Sequence, residues 1–394
     1  MRKDFYITLA GSFIILLFNV VSGIITARAL GPSGKGILRT MIIWPTLLSQ
    51  IGLLGMQESY IYLKNKEYDP LKLKSSILSG VLISSILISL PLYFIYALFF
   101  KSIVKSLYIP LLIALYVPIA NTIYIGLSFL QERMAFFKYN LLRLLLPSFY
   151  IVLLLIDYNS LTPEKCFVYL FISNIILFFA ILPEFIKLKL KYVSLKYLKD
   201  SLGFGIKTQL SSIIGSVSQQ ADQAILSVIS TPKILGIYSV AVSISRIGTL
   251  APYAAQIVLY PRMAREKKYN IRKNIIFLFL INLFLYIILF AILRSLIRIF
   301  YGPMFEGATT IAYVLFLVSF PLSVIYVGNA YFKSKGQPIK TTLVQSIIFI
   351  LLFILTPLFY ILIGILGVAY AIVIAYSIGA LYYIINFKRN RDDI

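Results

Sequence analysis

A chain of 394 residues that is 60% hydrophobic and 13% charged cannot hide its apolar side chains in one or two water-soluble cores, since soluble domains carry about 25% charged residues. Its 37 lysines and arginines against 14 acids give a net charge of +23, with one cysteine, Cys166, and no histidine. Internal disulfides, histidine metal sites and Ser-His-Asp or Cys-His catalysis are therefore excluded, and the composition is that of a membrane protein.

The N-terminal Met1-Arg2-Lys3-Asp4 leads into an apolar run too long for a signal-peptide core and without a small-residue cleavage site, so it reads as a retained first transmembrane helix. A spanning helix takes about 20 mainly apolar residues. Twelve are predicted: 6–27, 37–62, 75–100, 107–130, 140–156, 166–186, 203–229, 236–260, 274–293, 308–332, 342–362 and 364–386. The last two are separated only by Gly364 and Gly367, which leaves an eleven-helix reading open. Prolines 45, 91, 118, 147, 252, 321 and 357 fall inside these spans.

The cations test the count. With the N-terminus in the cytoplasm, the tails and even-numbered loops carry 27 of the 37 lysines and arginines and the odd-numbered loops carry 9, Arg246 lying inside a span. That threefold bias is the positive-inside pattern for twelve spans with both termini cytoplasmic. It accounts for the net charge without nucleic acid.

The stretch Ala29-Leu30-Gly31-Pro32-Ser33-Gly34-Lys35 stands near a phosphate-binding loop in composition. Residue 36 is Gly where such a loop needs Ser or Thr, no strand precedes it, and it joins the first two helices on the outer face. It is read instead as a hairpin turn. Pro32, Gly36 and Ile37 recur 200 residues later as Pro232, Gly236 and Ile237, in the turn between the seventh and eighth helices. An offset of six spans preserves topology, so two six-helix bundles are expected, residues 1–192 and 193–394, divided by the basic linker 187–200.

With "ITARALGPSGKGIL", "LLGMQESYIYL", "ADQAILSVISTPKILGIYSVAVSISR" and "VLYPRMAREKK" on these elements, the chain resembles the polysaccharide-export branch of the multidrug/oligosaccharidyl-lipid/polysaccharide (MOP) flippase superfamily, in the style of O-antigen (Wzx-type) repeat-unit flippases. The resemblance implies an all-α membrane protein of about twelve helices, two six-helix bundles forming a MATE-like V. It implies alternating access and a polyprenyl-diphosphate-linked oligosaccharide moved from the cytoplasmic to the outer leaflet of the cell membrane. Some relatives carry two further C-terminal helices, which this chain, with about twelve spans, is not expected to have.

An ionic side chain at mid-helix costs about 2.5–3.5 kcal/mol on insertion scales and defaults to function. Arg246, near the middle of the eighth helix, is read as a ligand for a diphosphate or anionic sugar, with Asp222 on the seventh helix as its partner or as an ion-coupling group; a structural ion pair is the alternative. Arg28, Lys35 and Arg39 around the first turn suit an anionic headgroup, or snorkel to lipid phosphates. Glu58 is a second coupling candidate or a partner of Lys64. Ser216, Gln219 and Gln223 lie on a polar stripe of the seventh helix that suits sugar hydroxyls, with Asn19 and Gln50 as first-half counterparts; helix-packing hydrogen bonds are the alternative.

No metal or cofactor is expected beyond a sodium or proton coupling ion; the expected partners are the lipid-linked oligosaccharide, membrane lipids and polysaccharide polymerase machinery. A drug/cation antiporter of the same superfamily fits a cationic cavity poorly. A membrane glycosyltransferase or ligase would need a substantial outer loop bearing catalytic residues, and the predicted outer loops are short.

Overall fold

The computed structural model describes residues 2–64, 68–101, 106, 108–265 and 270–389. All regular structure among them is helical. The helices are α1 Arg2–Gly52, α2 Met56–Leu63, α3 Pro70–Leu98, α4 Ile109–Glu132, α5 Phe136–Ile156, α6 Pro163–Ile181, α7 Leu195–Ile229, α8 Pro232–Ser245, α9 Leu250–Arg265, α10 Ile271–Phe300, α11 Ala308–Phe316, α12 Ser319–Ser334, α13 Pro338–Ile363 and α14 Ile365–Arg389.

Ten segments of the described residues are long and apolar enough to cross a membrane. One of them, Ala10–Gly52, is two crossings. Gly31 has φ 63°, ψ −179°, a region open essentially to glycine alone. Lys35 Nζ donates to Gly23 O at 3.2 Å and to Thr26 Oγ1 at 2.6 Å. Along a straight helix Lys35 would stand about 13 Å from Thr26, beyond a lysine's reach, so the chain doubles back at Gly31. Each arm then has about 20 residues, enough for a hydrocarbon core of about 30 Å. Pro32 begins the second arm, where a missing N–H costs nothing. The 35-residue α7 is long enough to be the twelfth crossing; its polar stripe separates it from the ten apolar segments.

Gly364 repeats the device between α13 and α14 with φ 73°, ψ −150°, so the last apolar run is two helices. Other spans differ from the sequence expectation. The predicted helix 37–62 stops at Gly52, and α2 restarts after Gly55, whose φ of 71° no continuing helix adopts. The predicted eighth span is α8 and α9 joined by a 3₁₀ turn at Arg246–Thr249, and the tenth is broken at Leu317 and Val318. Both breaks have one cause. A proline ring clashes with the carbonyl four residues earlier and offers it no N–H, and Pro252 and Pro321 do this to Gly248 and Leu317.

The chain divides into two compact units, Met1–Ile213 and Ile214–Ile394, the division falling inside α7. Lipid supplies little hydrophobic drive between helices, so polar bonds and close approach hold each unit. In the first, Asn121 Nδ2 on α4 donates to Ser85 Oγ on α3 at 2.8 Å, and Ser84 Oγ donates to Gly52 O at 2.6 Å. In the second, Asn282 Nδ2 on α10 donates to Ser319 O and Ser323 Oγ on α12 at 3.1 and 3.0 Å. Tyr383 on α14 lies so close to Gly328 that any Cβ there would stand 2.5 Å from the ring, and its hydroxyl donates to Asn329 Oδ1 at 2.6 Å. Cys166 is buried in an apolar cluster with Leu38, Tyr96 and Phe167.

Candidate functional site

In the first unit, α1, α4, α5 and α6 line a half-open cavity of about 250 Å³. Its polar lining is Asn19, Tyr116, Tyr124, Arg143 and Asn174, against Ile15, Leu127, Leu146, Pro147 and other apolar groups. Arg143 stands two turns into α5 and is half-buried. Its Nη1 donates weakly to Asn140 Oδ1 at 3.4 Å, and its guanidinium lies 5.0 Å from the centre of the Tyr139 ring. Among the described residues no carboxylate lines the cavity or lies within ion-pair distance of Arg143. The nearby acids are engaged elsewhere: Glu184 by Arg133 and Lys138, both at 3.0 Å, and Glu132 by Lys64.

The predicted residues of this unit fall into separate places. Asn19 is the member that reaches the cavity. Lys35 is used between the arms of the hairpin, and Arg39 is near enough to act on its charge. Arg28 is exposed and Arg39 half-buried. The Oε1 of Gln50, in the second arm, is enclosed and has no hydrogen-bond partner among the described residues. Glu58 belongs to α2, and its side chain lies outside the described residues.

In the second unit the charged centre is Asp222, 5% exposed, which accepts a hydrogen bond from Tyr238 Oη on α8 at 2.6 Å. Tyr238 and Arg246 are separated along α8 by about 12 Å. Among the described residues no carboxylate lies within ion-pair distance of Arg246, so the two predicted charges are not a direct pair. Tyr376 of α14 lies near both charges, and Tyr326 of α12, whose ring meets Tyr253 edge-on at 6.0 Å, lies near Arg246.

Arg246 is exposed at the α8–α9 break, midway along Pro232–Tyr260. Irregular backbone at membrane depth is tolerated only where it is buried in protein or lines a water-filled cavity. Along the polar stripe of α7 the burial varies: Gln223 is 2% exposed, Ser216 half-buried and Gln219 exposed.

Sequence reasoning missed Arg143, which a cation count assigns to a loop rim, and Tyr238, Tyr326 and Tyr376. For Arg143 the signal was weak: a cation two turns into α5, five residues beyond Lys138. Among 29 tyrosines the three phenols had none.

These features define a multi-pass helical membrane protein with cationic groups inside its helical segments. The family model described as "Polysaccharide biosynthesis protein" matches residues 1–267, and the chain belongs to that family. No curated protein sequence matches the chain. The structure is similar to a lipid II flippase MurJ in an inward closed conformation, with a TM-score of 0.80 and 16% identity, covering 97% of this chain and 87% of that one. It is also similar to an inward-facing multidrug resistance MATE family transporter of the MOP superfamily (TM-score 0.69, 15% identity, 98% and 99% covered). An outward-facing MATE transporter gives a TM-score of 0.61 at 16% identity, with 98% and 93% covered. At these identities the likeness establishes the fold alone, one shared with these flippase and MATE transporter structures.

Proposed function

We propose that the protein is a flippase that moves polyprenyl-diphosphate-linked oligosaccharide repeat units from the cytoplasmic to the outer leaflet of the cell membrane, for surface polysaccharide synthesis. The observation that carries this reading is the exposed guanidinium of Arg246 at a proline-induced break in a membrane-length helix. A cation placed there, free of any carboxylate within ion-pair distance among the described residues, demands an anion, and a diphosphate is the anion that a lipid-linked glycan carries. Family membership supports the polysaccharide context, and the fold is one that a lipid II flippase also uses.

Arg28 and Arg39 are assigned to the headgroup at the outer mouth, with Lys35 fixing their hairpin. Gln219, Gln223, Ser216 and Gln50 are sugar-contact candidates. Asp222 is the group for a sodium or proton coupling ion, Glu58 a second candidate. The positive-inside charge bias supports cytoplasmic termini, and polymerase machinery is the expected consumer of the product. The ion-coupled drug/cation antiporter reading rests on Asp222 alone and leaves Arg246 without a task.

The test is translocation in vesicles holding the purified protein, with lipid-linked glycan in one leaflet and an impermeant glycan-cleaving enzyme scoring its arrival in the other. Arg246→Ala should lower the rate by roughly a hundredfold, the scale of removing one partner of a desolvated charge pair. Arg246→Lys should remain roughly tenfold down, since an ammonium lacks the forked donors. Undiminished translocation by Arg246→Ala would remove the arginine's role. Ion-driven movement of a small cation, with no glycan movement, would replace the flippase reading with the antiporter one.

A further inference from the structure

The cavity inside the first unit has no part in the assignment above. Its ingredients are a guanidinium, two amides and two phenol rings around about 250 Å³, below the usual range for drug-sized ligands. Arg143 has five N–H donors and spends one on a 3.4 Å bond to Asn140, so a fork remains for a ligand. Asn174 is 2% exposed and donates its Nδ2 to Leu170 O at 2.9 Å, leaving its Oδ1 to accept. Asn19 is exposed and carries both a donor and an acceptor, and Tyr116 and Tyr124 complete the polar lining.

We propose that this cavity is a binding site for one acidic sugar unit, a pyranose bearing a carboxylate, with Arg143 taking the carboxylate and Asn19, Asn174 and the tyrosines taking the ring and its hydroxyls. The charge matches: one guanidinium meets one carboxylate through two parallel hydrogen bonds. The diphosphate is already assigned to Arg246, and no second cation lines this cavity among the described residues, so a singly charged carboxylate is the simpler match for Arg143. The inference deepens the flippase reading and rests on it for its meaning: the chain would select glycans that contain an acidic sugar.

The experiment measures binding to the full chain in lipid nanodiscs, using glucuronate, glucose and inorganic phosphate as probes and saturation-transfer NMR as the readout, so no translocation is needed. Glucuronate should bind, glucose at least tenfold more weakly and phosphate no better than glucose. Arg143→Gln should lower glucuronate binding at least tenfold, and Arg143→Lys should restore part of it. Equal binding of glucose and glucuronate, preference for phosphate, or indifference to Arg143→Gln would each overturn the proposal. A thermal melt of Arg143→Gln, matched to the parent, separates lost binding from lost fold. If translocation fails in vesicles while glucuronate still binds through Arg143, the flippase reading falls and the site stands; glycan translocation without such binding gives the reverse.

Discussion

The two hairpins that the 200-residue repeat relates are built differently. In the first, the turn residue is Gly31 at φ 63°, and a cation latches the arms, Lys35 to Gly23 O and Thr26 Oγ1. In the second, the turn residue is Thr231 at φ −74°, ψ 152°, capping α8 through Ile234 N, and an anion latches the helices, Asp222 to Tyr238. The shared Pro32 and Pro232 preserve the start of the outgoing helix, while the turn and the latch have diverged. The lesson is that an ion inside a helical hairpin is as ready to hold it shut as to meet a substrate. Lys35 and Asp222 both have hairpin partners. Arg143 and Arg246, each beside a proline-disturbed backbone, have no carboxylate partner among the described residues, and they carry the proposals above.

The turn residues break the comparison most sharply. A Cβ on Gly31 would touch nothing within 4 Å, so any penalty there is torsional. A β-branched residue in that region should cost about 3 kcal/mol, the upper end for such backbone strain. Gly31→Thr, the residue its counterpart carries, should therefore lower the melting temperature of the purified protein or abolish its accumulation. A variant as stable as the parent would mean that the chain does not fold back through Gly31.

The latches come next. Tyr238→Phe removes the phenol donor from a carboxylate that is 5% exposed, and should destabilise by about 2 kcal/mol, the scale of a hydrogen bond to a charged group. With Asp222→Asn as background the same phenylalanine should cost about half as much, because a neutral amide tolerates the loss better. A double-mutant cycle with no coupling would show that the 2.6 Å contact contributes nothing.

Much of this was legible in the residues, and the exceptions have physical reasons. Gly31-Pro32 and Thr231-Pro232 punctuate apolar runs, so both hairpins stand out. Gly364 could be read only as a suspected turn, because a lone glycine in an apolar run also occurs where helices pack closely, as Gly328 does against Tyr383. The break at Arg246–Thr249 was hidden, since a proline inside a span can kink a helix or end it, and Pro91 and Pro118 lie within continuous helices where Pro252 does not. Arg246 was conspicuous as a charge at mid-span. Arg143 was not, because it lies close enough to the start of α5 to be counted with a loop. Which helices line a cavity around it is a property of packing that no single-helix pattern carries.

The smallest effects sharpen the comparison from the first hairpin's side. Lys35→Met keeps most of the side-chain length but deletes the bonds to Gly23 O and Thr26 Oγ1. The loss is partly returned, since the ammonium no longer has to be desolvated between two helices. Thr26 still donates to Ser22 O at 2.7 Å, so no hydroxyl is orphaned. The net cost should be about 1 kcal/mol, less than for Tyr238→Phe, which leaves its charge in place and stripped of a donor. The reciprocal turn exchange, Thr231→Gly, should cost only a few tenths of a kcal/mol, because glycine is nearly as good a helix cap as threonine. Thermal melts of both variants beside Gly31→Thr would give a steep asymmetry if the two turns work as described. Equal losses for Gly31→Thr and Thr231→Gly would mean that the second turn depends on its own residue as strictly as the first.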